Sequence, residues 1–183
     1  MSMRKSSLVT GVFVALSMIF MIQGCATKRR MITTNGIHAM KLGEKLPAIG
    51  TPSLKGHALR DTFVDEGEFS WRQAVMEYKK GNVYIEEDFF GSGQVGRIRI
   101  YTPELSLRNG LRVGMAASDL KTKANDWTVI PMADYNVLDL YSRIFPRIHF
   151  IVDDPAVSKE GSWEEYNIDQ VNDTAKIVAI VVL

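Results

Sequence analysis

The chain has 183 residues, with 22 Lys+Arg against 21 Asp+Glu and a formal charge of +1. That near-neutral balance argues against a general nucleic-acid binder, which needs a basic field to displace counterions. A single cysteine excludes a disulfide within the chain and a multi-cysteine zinc cluster, so the fold must hold by its core.

Met1 to Gly24 read as a leader. Arg4 and Lys5 make a basic start, and Leu8 to Ile22 form an apolar run of 15 residues broken only by Thr10, Gly11 and Ser17. A membrane span needs roughly 20 apolar residues, so this run is short for an anchor. It ends on Ile22-Gln23-Gly24-Cys25. A small residue followed by a thiol is what cleavage and lipid transfer at a bacterial lipoprotein signal require. Residues 1–24 are therefore expected to be removed and Cys25 to carry the lipid, palmitate among its acyl chains. Loss of Arg4 and Lys5 takes the formal charge from +1 to −1. Ala26, not Asp, follows the cysteine, which resembles an outer-membrane sorting signal. Residues 25–35, polar through Thr27, Thr33, Thr34 and Asn35, read as a tether.

The folded part, 36–183, reads as one domain made of two half-repeats, 36–108 and 109–183. Gly36 to Gly43 is echoed by Asn109 to Gly114, and Val95 to Tyr101 by Ala175 to Val181. Each later segment is expected to be the last strand of its half. Trp71 to Tyr78 and Val83 to Phe90 read as a hairpin turning at Lys79 to Asn82. Val83, Ile85 and Glu87 share one face, and Tyr84, Glu86 and Asp88 the other. Ile98 and Ile100 point inward, with Arg97, Arg99 and Tyr101 outward. Ala117, Leu120 and Ala124 fall on one face of a predicted helix over 116–124, with Asp119 early and Lys121 and Lys123 late. Its first-half counterpart near Pro47 is cut off by Gly50 and Pro52. Trp127 to Pro131, Val137 to Tyr141 and Ile148 to Val152 read as strands. Ile177 to Leu183, apolar on both faces, reads as a central strand. Asp153 to Asp173 is polar and reads as a surface loop.

Arg97-Ile98-x-Ile100, Gly110-Leu111-Arg112-Val113-Gly114, Ser118-Asp119-Leu120 and Lys123-Ala124, together with the lipobox and a closing Lys176-Ile177-Val178 strand, resemble the bacterial RpoE-regulated lipoprotein family. The resemblance covers those segments and not the middle of each half. It implies an envelope protein linked to stress control, with no assigned enzymatic activity. The fold it implies, which the repeat pattern also leads to, is α+β: two tandem repeats of antiparallel β-sheet with a short helix packed on one face.

No catalytic constellation emerges. Gly91-Ser92-Gly93-Gln94-Val95-Gly96 matches G-x-G-x-x-G, but a strand pattern follows where a phosphate site needs a helix N-terminus. Cys25 with His38, His57 or His149 gives no thiol nucleophile once lipid occupies the sulfur. The three histidines lack metal-ligand spacing. Glu86, Glu87 and Asp88 read as a solvated strand face rather than a hydrolytic carboxylate pair. The expectation is therefore no catalytic residue, no cofactor and no metal. Partner contacts fall to Trp163, an exposed aromatic in the polar loop, and to Tyr84, Glu86 and Asp88. The function expected is a non-enzymatic binding or scaffold lipoprotein, lipid-anchored on the periplasmic face of the outer membrane. Its partner would be an envelope protein or cell-wall component. The alternative is a small envelope hydrolase, or an inhibitor of an envelope or secreted enzyme.

Overall fold

A computed structural model describes residues 30–67, 69–132, 135–155 and 166–183. The leader, Cys25 and Trp163 lie outside the described residues. Three two-residue strands, β1 (Ile32–Thr33), β2 (Gly36–Ile37) and β3 (Met40–Lys41), form a small antiparallel sheet. The main sheet contains β4 (Ser53–Leu54), β5 (His57–Glu66), β6 (Phe69–Tyr78), β7 (Gly81–Glu87), β8 (Val95–Ile100), β9 (Thr128–Met132), β10 (Val137–Tyr141), β11 (Ile148–Asp153) and β12 (Lys176–Val182). Its order is β4-β5-β6-β7-β8-β12-β11-β10-β9, and every neighbouring pair is antiparallel. Two meanders thus meet at β8 and β12, where Ile100 faces Ile180 and Ile98 faces Val182.

Side-chain alternation gives the sheet two unlike faces. One register row runs Leu59, Met76, Val83, Ile100, Ile180, Phe150, Leu140 and Val129 across eight strands. Apart from Leu59 at its margin, every member is buried. At roughly 1.5–3 kcal/mol for each large aliphatic or aromatic side chain removed from water, this face is where the chain gains its stability. It is covered by Ile32, Ile37 and Met40 of the small sheet, by Leu105, Leu107 and Leu111, and by a one-turn helix, α1 (Ala117–Lys121). Gly43 and Gly114 both hold positive φ, 75° and 89°. Their N–H groups donate to Val95 O and Ile177 O, tying these coverings to the starts of β8 and β12.

The α+β expectation is corrected here. The chain is mostly β, with 49% strand and 6% helical residues, and has one large sheet in place of two. The reason is edge pairing: β8 and β12 satisfy each other's open backbone groups and fuse the strands of 36–108 and 109–183 into one sheet. The helix predicted over 116–124 shrinks to five residues. A helix this short gains too little from its own hydrogen bonds to offset nucleation, so docking of Ala117 and Leu120 holds it. The segment around Pro47 has no helix. In the predicted surface loop, residues 156–165 lie outside the described set, while Asp154 and Val171 are buried. Asp154 Oδ2 accepts the Asn172 N–H at 2.8 Å.

Candidate functional site

The other face of the sheet carries the complementary row Arg60, Val75, Tyr84, Arg99, Val181, His149, Tyr141 and Thr128. It is concave. Val64 on β5 and Met132 on β9 come from opposite margins of the sheet, yet both line one trough of about 620 Å³. Accumulated strand twist curls the sheet in this way.

The polar centre of this face is Glu86, whose side chain is only 1% exposed. It sits in the row Thr62, Gln73, Glu86, Arg97. Thr62 Oγ1 donates to Gln73 Oε1 at 3.0 Å, and Gln73 Nε2 donates to Glu86 Oε1 at 2.9 Å. Arg97 Nε and Arg99 Nη2 reach the two carboxylate oxygens, each at 2.5 Å. The solvated-face expectation for Glu86 therefore fails, because two cations and an amide replace the water its carboxylate would need. Arg97 lies over the Trp71 ring at 5.8 Å, and Arg99 over the Tyr84 ring at 5.6 Å. Tyr101 meets Tyr84 edge-on. Planar guanidinium groups suit both contacts at once.

Two guanidiniums against one carboxylate give this cluster an excess of one positive charge among the described residues. Arg99 Nε is also buried with no hydrogen-bond partner among the described residues. Further along the trough, His149 Nδ1 is 3.0 Å from both Asp139 oxygens and its ring stacks on Tyr141. Between these polar stations the floor is aliphatic: Val181, Ala179, Ile151 and Val137 all line the trough.

The residues expected from sequence separate. Tyr84 and Glu86 are on the concave face. Asp88 is just past β7, where its carboxylate accepts from the Ser92 hydroxyl and backbone N–H. The Ser92 hydroxyl bond, then the Ser92 N–H, lowers the Asp88 pKa from its usual value. The glycine motif spans the end of the loop from β7 to β8 and the first two residues of β8. Gly91 and Gly93 supply positive φ of 67° and 78°. Gly96 lets the chain pass Asp88, whose Cα would be 2.6 Å from an added Cβ. His38 and His57 share a separate cavity of about 480 Å³ with Lys55 and Tyr78, and no carboxylate among the described residues lines it. No cluster of three or more potential metal-ligating His, Cys, Asp or Glu side chains occurs among the described residues. No helix among them is long and apolar enough to cross a membrane.

Sequence reading missed Gln73 and Asp139, weighed His149 only as a thiol partner or metal ligand, and took Arg97 and Arg99 only as outward-facing. The alternation Arg97-Ile98-Arg99-Ile100 assigns the faces. Only the register of β7 on β8 reveals that both arginines meet Glu86.

No protein-family model and no curated protein sequence matches the chain. Among solved structures, the uncharacterized protein yfeY from Escherichia coli is similar, with a TM-score of 0.60 and 15% identity. The match covers 83% of this chain and 98% of that one. At that identity the likeness establishes a shared fold, a curved antiparallel sheet with one face covered.

Proposed function

We propose that this chain is an RpoE-regulated-type envelope lipoprotein, anchored through Cys25 on the periplasmic face of the outer membrane. It acts by binding at the concave sheet face, without catalysis. The lipobox and the segments between Arg97 and Ala124 support the envelope reading, and the fold shared with yfeY is consistent with it. The observation that carries the binding reading is the trough: about 620 Å³, aliphatic along its floor, with the polar groups of Arg97, Arg99 and His149 converging on it. Such a mixture of apolar wall and few placed polar groups is what ligand sites share.

A photo-crosslinking residue at Ile151, in the trough, tests this in intact cells against one at Arg143, whose side chain is 96% exposed elsewhere. Ile151 is expected to capture an envelope component that Arg143 does not. Equal labelling from both positions, or none from Ile151, would refute binding at this face.

A further inference from the structure

We propose that the trough takes an amphiphilic monoanion: an apolar chain carrying one acidic head group. This rests on the concave face being the binding face, and it names the ligand class.

The charge of the head follows from the Glu86 cluster. Arg97 and Arg99 share one carboxylate, so a single positive charge is left over. His149 and Asp139 are paired with one another farther along the trough, two and three strands away from Arg99. At that pair of arginines a single acidic group restores the balance, and a second negative charge would exceed it. The place of the head follows from Arg99, whose side chain is 30% exposed and whose Nε has no partner among the described residues. An anion accepting from the exposed part of this guanidinium forms a charge-assisted hydrogen bond and adds to the one carboxylate that Arg99 already shares.

The body follows from the register. Val181 stands directly opposite Arg99. Ala179 and Ile151, paired with each other, continue the floor, and Val137 extends it toward Met132. An apolar strip that begins beside a cluster with excess positive charge matches a ligand with an acid at one end. A protein loop would instead bring backbone amides and carbonyls onto this aliphatic floor, where nothing pairs with them.

The core cluster falls between Ile32 and Val182, so the chain from residue 25 carrying Cys25→Ser retains it whole. Calorimetric titration of that protein with decanoate, decanol and acetate tests the proposal. Decanoate is expected to bind one to one, decanol at least tenfold more weakly, and acetate without saturation. Arg99→Gln is expected to lower decanoate affinity at least tenfold and to abolish the preference over decanol. Val181→Glu places a carboxylate opposite Arg99, so the chain fills its own site. Decanoate binding is expected to vanish while the urea midpoint holds or rises, which guards against a variant that has simply unfolded. The proposal is overturned if folded wild type shows no saturable decanoate binding, if decanol binds as well, if acetate alone saturates the site, or if Val181→Glu binds decanoate normally. Capture of an envelope protein from Ile151 without decanoate binding would overturn the ligand class and leave the face standing. Failure of both experiments would remove both.

Discussion

Glu86 and Arg97 are cross-strand partners on β7 and β8, and Arg97 Nε meets Glu86 Oε2 at 2.5 Å. Glu86 also holds Arg99 and receives the Gln73 amide. Removing it leaves two guanidiniums and an amide facing each other. Breaking a buried ion pair in this way costs about 3–5 kcal/mol. Because Arg97 and Arg99 are 38% and 30% exposed, Glu86→Ala is expected at the low end, near 3 kcal/mol by the same principle. Urea unfolding of the variant against wild type checks it, and a loss under about 1 kcal/mol, the scale of a surface pair, would mean that Glu86 is no structural centre.

Leu120 is fully buried and is the main apolar side chain that α1 offers to the core. Leu120→Ala is expected to cost about 2–5 kcal/mol in urea melts. A cost under about 1 kcal/mol, less than even a conservative core truncation, would show that the helix does not dock.

Tyr78 gives the alkaline limb. Burial, then the charge of Glu104, pushes its phenol from 10.0 up to about 12. A raised folded-state pKa means that the folded protein holds its proton longer than the unfolded chain does. The resulting stabilisation is complete below pH 10 and is lost as pH rises from 10 to 12. Tyr78→Phe removes this component. The stability difference between wild type and variant is expected to shrink over that interval, read from urea midpoints at successive pH. A constant difference would contradict the assignment.

Gly96 passes Asp88 so closely that an added Cβ would lie 2.6 Å from its Cα and 3.1 Å from its nitrogen. Both are backbone atoms, so a rotamer change cannot relieve the contact. It is the residue left over where the β7–β8 register shifts. Gly96→Ala is expected to cost about 2 kcal/mol, the scale of an overpacked site, and to weaken amide-exchange protection of Glu87 and Val95. Unchanged protection would mean that the strands yield without strain.

Cys25→Ser tests the anchor, which stable attachment requires in the form of more than one acyl chain. An uncleaved or soluble form is expected on fractionation. If the Cys25→Ser variant still runs at mature size and stays in the outer membrane, lipidation at this residue is refuted.

The faces of most strands are legible in the chain alone, because period-two alternation is local. Val83 and Ile85 against Tyr84 and Glu86, and Ile98 and Ile100 against Arg97 and Arg99, can be read off directly. So can the central place of β12, from an apolar run with no polar face. What those faces meet is set by tertiary pairing. Whether Glu86 is solvated or buried depends on two arginines supplied by the next strand and a glutamine by the previous one, so it depends on register, which alternation does not encode. Whether the strands of 36–108 and 109–183 make two sheets or one depends on a single pairing, β8 on β12, between segments some eighty residues apart. The trough exists only because that joined sheet is wide enough for its twist to bring Val64 and Met132 to the same hollow.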